Sequence, residues 1–229
     1  MSRKTVYYPH NYLVFAVLLF ILVSVLVLLF IGVIGVAFSD VGFSPAITAS
    51  VLVFTLLGSF INIPIFRLKT TVPMIEEEFV SFFGMVYRIP RLELGEETTM
   101  IAVNVGGALI PTFVSIYLLL KQPSAALYAL AGVVIVSLVS HAVARPVKGV
   151  GIAMPPFVAP LVAALLAYLL PSGAPKMVAY VSGVVGTLIG ADLSNLRVIP
   201  ELGAPVASSG GAGTFDGVFL SGIIAVLLA

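Results

Sequence analysis

The stretch Leu13–Phe38 reads LVFAVLLFILVSVLVLLFIGVIGVAF, 26 residues without a charge. An α-helix needs about 20 apolar residues to cross a hydrocarbon core of about 30 Å. The run exceeds that length, and no small-residue cleavage site follows it cleanly. It therefore reads as a retained membrane helix and not as a secretory signal. Six further apolar runs follow: Pro45–Phe66, Thr99–Leu120, Ala125–Ala144, Ile152–Leu170, Met177–Leu196 and a last one ending at Ala229. None alternates with period two, which disfavours a barrel. The expected fold is all-α: a polytopic transmembrane helical bundle of about seven spans, forming a single integral membrane domain over residues 1–229.

Composition agrees. Of 229 residues, 60% are hydrophobic and 9% are charged, against about 25% charged in an ordinary soluble domain. The charge of +1 and the lack of a basic stripe exclude a nucleic-acid partner. The absence of cysteine excludes disulfide scaffolds and thiol catalysis. His10 and His141 are too few for a zinc centre without carboxylate help, so no metal and no cofactor is expected. The lipid bilayer is the one partner that composition demands.

The basic residues orient the chain. With the N-terminus in the cytoplasm and seven spans, Arg3, Lys4, Arg67, Lys69, Arg88, Arg91, Arg145, Lys148 and Arg197 fall inside, and only Lys121 and Lys176 fall outside. The expected location is the cell membrane, multi-pass, with the C-terminus outside. The segment 67–98 is then a cytoplasmic or interfacial connector between spans two and three. It carries Glu76, Glu77 and Glu78 and then the short apolar run Phe79–Tyr87. Such a segment lies on the surface, forms a hairpin or dips between helices.

Charges inside a bilayer are costly, and an ionisable residue there is a functional candidate by default. Asp40 lies in a short turn, where Asp is ordinary. Asp192 and Asp216 lie within apolar runs. Asp192 is 16 residues past Lys176, or about 24 Å along a helix. Asp216 is followed by 13 uncharged residues, or about 20 Å of helix. Both counts set the carboxylates at similar depth on consecutive antiparallel helices. The stretch after Asp216 is too short to span, so the glycine-rich segment before it enters the membrane as well. Irregular backbone at that depth needs a protein-lined or wet cavity. Gly210–Gly213 are expected to be irregular or re-entrant, because glycine is a poor helix former.

On a helical wheel Gly183, Gly186 and Gly190 share one face of the sixth span, and Asp192 falls on the opposite one. The stripe and the carboxylate should therefore meet different neighbours. Asn104, in the interrupted stretch Asn104–Pro111, and Asn195 are candidate neutral ligands. Gly211, Gly213 and Thr214 are candidate substrate or oxyanion contacts. His141 and Arg145 end the fourth span, where snorkelling anchors are common. The fifth span opens with Gly149, Gly151, Pro155 and Pro156 and should be bent or unwound.

The stretches Asn104–Pro111, Ala144–Pro146, Gly190–Leu193 and above all Gly210–Gly217 resemble a membrane-protein family of archaea and bacteria known as domain of unknown function sixteen-fourteen. The resemblance covers most of the chain after Arg67 and implies no activity. A looser likeness links Asp192 and Asp216 to intramembrane aspartyl proteases of the presenilin and signal-peptide-peptidase type. Those carry paired Asp residues on consecutive helices and a Gly-x-Gly-Asp motif. The chain departs from them at Gly211–Asp216, which is two residues longer, and at Ala191, where a Tyr is expected.

Three functions are compatible with these residues. An intramembrane hydrolase would use Asp192 and Asp216 as general acid and base on a water in a cytoplasm-facing pocket, acting on a transmembrane peptide. A small proton- or cation-coupled transporter would bind its ion or solute at the same pair between broken helices. A scaffold would use both Asp residues only to satisfy backbone amides.

Overall fold

The computed structural model describes residues 12–82, 85–148, 151–203, 205–211 and 217–229. Arg3, Lys4, His10, Gly213, Thr214 and Asp216 lie outside these residues.

Helix α1 (Tyr12–Asp40) turns at Gly42, whose φ of 91° suits a residue without Cβ, into α2 (Pro45–Gly58). Ser44 caps α2 by accepting from the Ile47 amide at 3.4 Å, and Pro45 takes the first helical position. Strands β1 (Asn62–Phe82) and β2 (Met85–Asn104) come next. A π-helical turn at Val105–Leu109 leads into α3 (Ile110–Lys121), and a 3-10 turn at Pro123–Ala125 into α4 (Ala126–Val143). The small hairpin β3 (Arg145–Val147) and β4 (Gly151–Ala153) precedes α5 (Val158–Leu169). Helix α6 (Pro175–Thr187) ends in a π-turn (Leu188–Asp192) and a 3-10 turn (Leu193–Asn195). A further 3-10 turn (Ile199–Leu202), strand β5 (Val206–Ser209) and α7 (Gly217–Leu228) complete the chain.

Three helical segments are long and apolar enough to cross a membrane: Val14–Asp40, Pro123–Val143 and Pro175–Asn195. Shorter apolar helices cover Pro45–Gly58, Val105–Lys121, Val158–Leu169 and Gly217–Leu228. The chain is a mostly helical membrane protein. The expectation of an all-α fold is corrected, because strands take up the ends of several apolar runs. Pro45–Phe66 is helical only to Gly58, and Thr99–Leu120 opens as a strand up to Asn104. Both strand ends are rich in β-branched residues, and the Gly106–Gly107 pair keeps a regular helix from extending back from α3. Pro155 and Pro156 likewise hold back the start of α5, so that run opens as the β3–β4 hairpin and a loop.

The connector 67–98 is a hairpin. β1 and β2 pair antiparallel from Asn62↔Asn104 to Phe82↔Met85, with an irregularity at Pro64. β5 adds in parallel to the inner end of β2, from Met100↔Val206 to Val103↔Ser209, so the sheet order is β1-β2-β5.

Small residues draw the helices together around α6. A Cβ on Gly183 would lie 3.0 Å from the Ser221 carbonyl oxygen of α7. On Gly186 it would meet Val136 of α4 at 2.7 Å, and on Gly190 the Ser137 carbonyl oxygen of α4 at 2.2 Å. The glycine face thus packs first on α7 and then on α4, the close approach that small residues permit between membrane helices. Tyr180, Phe38 and Phe219 fill the core where α1, α6 and α7 meet, with centroids 5.9 Å and 6.4 Å from the Phe38 ring.

Candidate functional site around Asp192

Two contacts mark one end of the bundle. Lys176 Nζ donates to Asp40 Oδ2 at 2.5 Å, and Lys121 Nζ donates to the Gly42 carbonyl at 3.0 Å. The turns α1–α2 and α3–α4 and the start of α6 therefore meet at this end. The short helix α2 runs from it for 14 residues, about 20 Å, before helical structure stops. The chain beyond Gly58 is extended, and polar residues concentrate there.

Asp192 ends the π-turn that continues α6 and is half-buried. Its Oδ2 accepts the Gly210 amide at 2.7 Å. Gly210 follows β5 directly, and it and Gly211 both take positive φ, 81° and 84°. The glycine segment is therefore irregular where it is described, as its composition predicts. Asp192 reaches the end of β5, a neighbour that the glycines of the stripe do not meet.

Gly210 in turn sits against the start of the third apolar run. A Cβ on Gly107 would lie 1.8 Å from the Gly210 carbonyl oxygen, and one on Gly210 would lie 2.6 Å from Ala108. Only glycine allows the two backbones this close. Gly107 is held by Asn104, whose Oδ1 accepts the Gly107 amide at 2.7 Å. Asn104 is fully buried, and its Nδ2 donates to the Ser59 carbonyl at 2.7 Å and to Asn62 Oδ1 at 3.0 Å. Ser208 Oγ donates to the same Asn62 oxygen at 2.5 Å. Hydrogen bonds thus link Ser59, Asn62 and Ser208 to Asn104 and Gly107, and Gly107 packs against Gly210, whose amide bonds Asp192; this polar chain joins the two ends by contact.

The remaining candidates fall beside this chain. Asn195 is buried and donates to the Ala191 and Gly190 carbonyls at 2.8 and 3.3 Å, so it caps its own helix. Ser194 Oγ donates to the Gly190 carbonyl and lies 2.9 Å from His141 Nδ1. His141 and Arg145 are exposed at the end of α4 and on β3. Among the described residues no group of three or more His, Cys, Asp or Glu side chains is placed to hold a metal. Asn62, Ser59 and Ser208 belong to the cluster although sequence reading passed over them. Asn62 carried a signal, a carboxamide inside an apolar run two residues before Pro64.

No curated protein and no solved structure matches the chain. A family model, described as "Protein of unknown function (DUF1614)", matches residues 56–228, which include every residue of this polar chain, and the protein belongs to that family.

Proposed function

We propose that the protein is an intramembrane hydrolase that cleaves an amide bond of a membrane-embedded polypeptide, with Asp192 and Asp216 as its acid–base pair. The observation that carries this reading is the bond from the Gly210 amide to Asp192 Oδ2 at 2.7 Å. It ties Asp192 to the segment that leads into Asp216, and α7 starts at the next residue, Gly217. In this reading one carboxylate takes a proton from water as the water oxygen bonds to the substrate carbonyl carbon. The other carboxyl gives its proton to the amide nitrogen as the C–N bond breaks. Two carboxyls that share a site ionise one at a time, which supplies both forms together.

The same reading takes the seven apolar helices as spans of the cell membrane, with the Lys121–Lys176 end outside and the hairpin in the cytoplasm. The nine-to-two division of basic residues supports that orientation. Asp192, about 24 Å from the outer end, then lies in the cytoplasmic third of the core. With no native cysteine, a Cys at Ser172 should react with impermeant reagent in whole cells and one at Ser81 should not.

A coupled transporter is the second reading. Helices α2, α5 and α7, only 12 to 14 residues long, favour it, because transporters bind their solutes between such interrupted helices. One experiment separates the two. The protein is reconstituted in vesicles with a panel of transmembrane peptides, and the products are read by mass spectrometry. Cleavage should fall by at least about a hundredfold in Asp192→Asn and in Asp216→Asn, the scale of a lost general acid or base. Proton uptake without any cleavage would favour transport, and unaltered cleavage in both variants would reject the dyad.

A further inference from the structure

Helices α4 and α6 run parallel and in step. A Cβ on Gly132 would lie 2.9 Å from the Ser182 Cβ, one on Gly186 2.7 Å from the Val136 Cβ, and one on Gly190 2.8 Å from the Ser140 Cβ. The contacts climb both helices together. The two segments of membrane-spanning length that contain them, Pro123–Val143 and Pro175–Asn195, therefore end side by side. His141 Nδ1, 2.9 Å from Ser194 Oγ, closes that end. A cation follows each segment at once: Arg145 is two residues past Val143, and Arg197 is two residues past Asn195. Lys148 comes directly after β3. Strands β3 and β4 pack against the turn Ile199–Leu202, which draws the two stretches together.

Arg145, Lys148 and Arg197 are exposed. Among the described residues none of the three side chains has an ion pair or a hydrogen bond. The cations elsewhere differ: Lys121 donates to the Gly42 carbonyl, Lys176 to Asp40, and Arg88 pairs with Glu77. The stretches Arg145–Lys148 and Arg197–Pro205 hold three cations and a single carboxylate, Glu201. Asp192, just before, is engaged by the Gly210 amide.

From this arrangement, and independently of the hydrolase reading, we infer that the joined ends of α4 and α6 bind an anionic phospholipid, with its phosphate among Arg145, Lys148 and Arg197. Depth chooses a lipid. Cations within two residues of the ends of apolar, membrane-length helices lie at headgroup level, where basic clusters attract anionic lipids. Guanidinium groups suit the task, because each can meet two phosphate oxygens at once. The surface toward the helices is apolar. Val134, Leu138 and His141 share an exposed face of α4, and Leu193, beside Ser194, is also exposed. An acyl chain lies along that face while the headgroup meets the cations; a soluble anion would leave it unused.

The test titrates the full chain, in non-ionic detergent, with phosphatidylglycerol and separately with phosphatidylcholine, and counts bound lipid by native mass spectrometry. Phosphatidylglycerol should bind at least about tenfold more tightly. Arg145→Gln combined with Arg197→Gln should weaken it about thirtyfold, roughly fivefold for each charge removed. Arg145→Lys combined with Arg197→Lys keeps both charges and should stay within about fivefold of the parent. Arg88→Gln and Lys121→Gln remove charges elsewhere and should stay within about twofold, since they lie beyond a screening length. If the Gln pair fails to fold, the parent decides: raising NaCl from about 0.05 to 0.5 M should weaken phosphatidylglycerol at least about tenfold and leave phosphatidylcholine unmoved. Equal affinity for the two lipids overturns the inference, as does an equal loss at Arg88 or Lys121. Displacement of the lipid by millimolar inorganic phosphate also overturns it, by assigning the cations to a soluble anion.

Discussion

Helices α1 and α6 are both long and apolar, yet they occupy opposite environments. No residue in the spanning window of α1 is buried, whereas 67% of that of α6 is. α1 is built of Leu, Val, Ile and Phe, and α6 of Gly, Ser, Ala and Val. In water the larger side chains would go inside. In lipid the tails are as apolar as leucine, so burial does not reward size, and close backbone packing decides what sits at the centre. Only the end of α1, at Ile34, Ala37 and Phe38, enters the core.

That contrast breaks most readily at the glycines beside the polar chain. Gly106→Ala and Gly107→Ala place a Cβ 2.0 Å from the Thr55 carbonyl oxygen and 1.8 Å from the Gly210 carbonyl oxygen. Each should destabilise the protein by about 3 kcal/mol. Denaturant unfolding of the purified protein in detergent measures this, and a loss below about 1 kcal/mol would mean that the close approach is not there.

Asn104→Leu comes next. It strips partners from the Gly107 amide and the Ser59 carbonyl and removes one from Asn62. A cost of about 2 kcal/mol follows in the same unfolding experiment, since the buried groups lose their bonds without gaining water. Asn195→Leu should cost less, about 1 kcal/mol, because Asn195 serves only carbonyls of its own helix. Equal losses at the two asparagines would deny the polar chain its special place.

Lys176→Met breaks the pair with Asp40, whose side chains are 38% and 33% exposed. Its effect should stay under about 1 kcal/mol and shrink further with added salt. Gly32→Leu is the smallest change. A Cβ there meets nothing within 4 Å, and unfolding should not move outside error. A strong loss at Gly32 would show that the free face of α1 is covered by another molecule.

Much of this was readable in advance. Asp192 stands out as a lone charge in an apolar run, and the double glycine at 210–211 announces backbone that only glycine adopts easily. The opposite placement of the glycine stripe and Asp192 follows from helical periodicity alone. Asn62 and Ser208 were not legible as a pair, because they are 146 residues apart and meet only through sheet pairing. The strand ends of β1 and β2 look like parts of spans in the sequence, since short apolar runs are alike in a helix and a buried strand.

The sequence alone determined that this is a membrane protein, because 21 charged residues among 229 cannot clothe a soluble surface. It also determined where regular helix must fail, through glycine content at 210–211. Tertiary structure alone decided that the broken ends of the apolar runs become a sheet, that β5 joins β2, and that Gly210 closes on Asp192. The joining of β5 to β2 depends on backbone hydrogen bonds between segments some hundred residues apart. Every backbone has the same donors and acceptors, so no local pattern of side chains specifies which segments will meet.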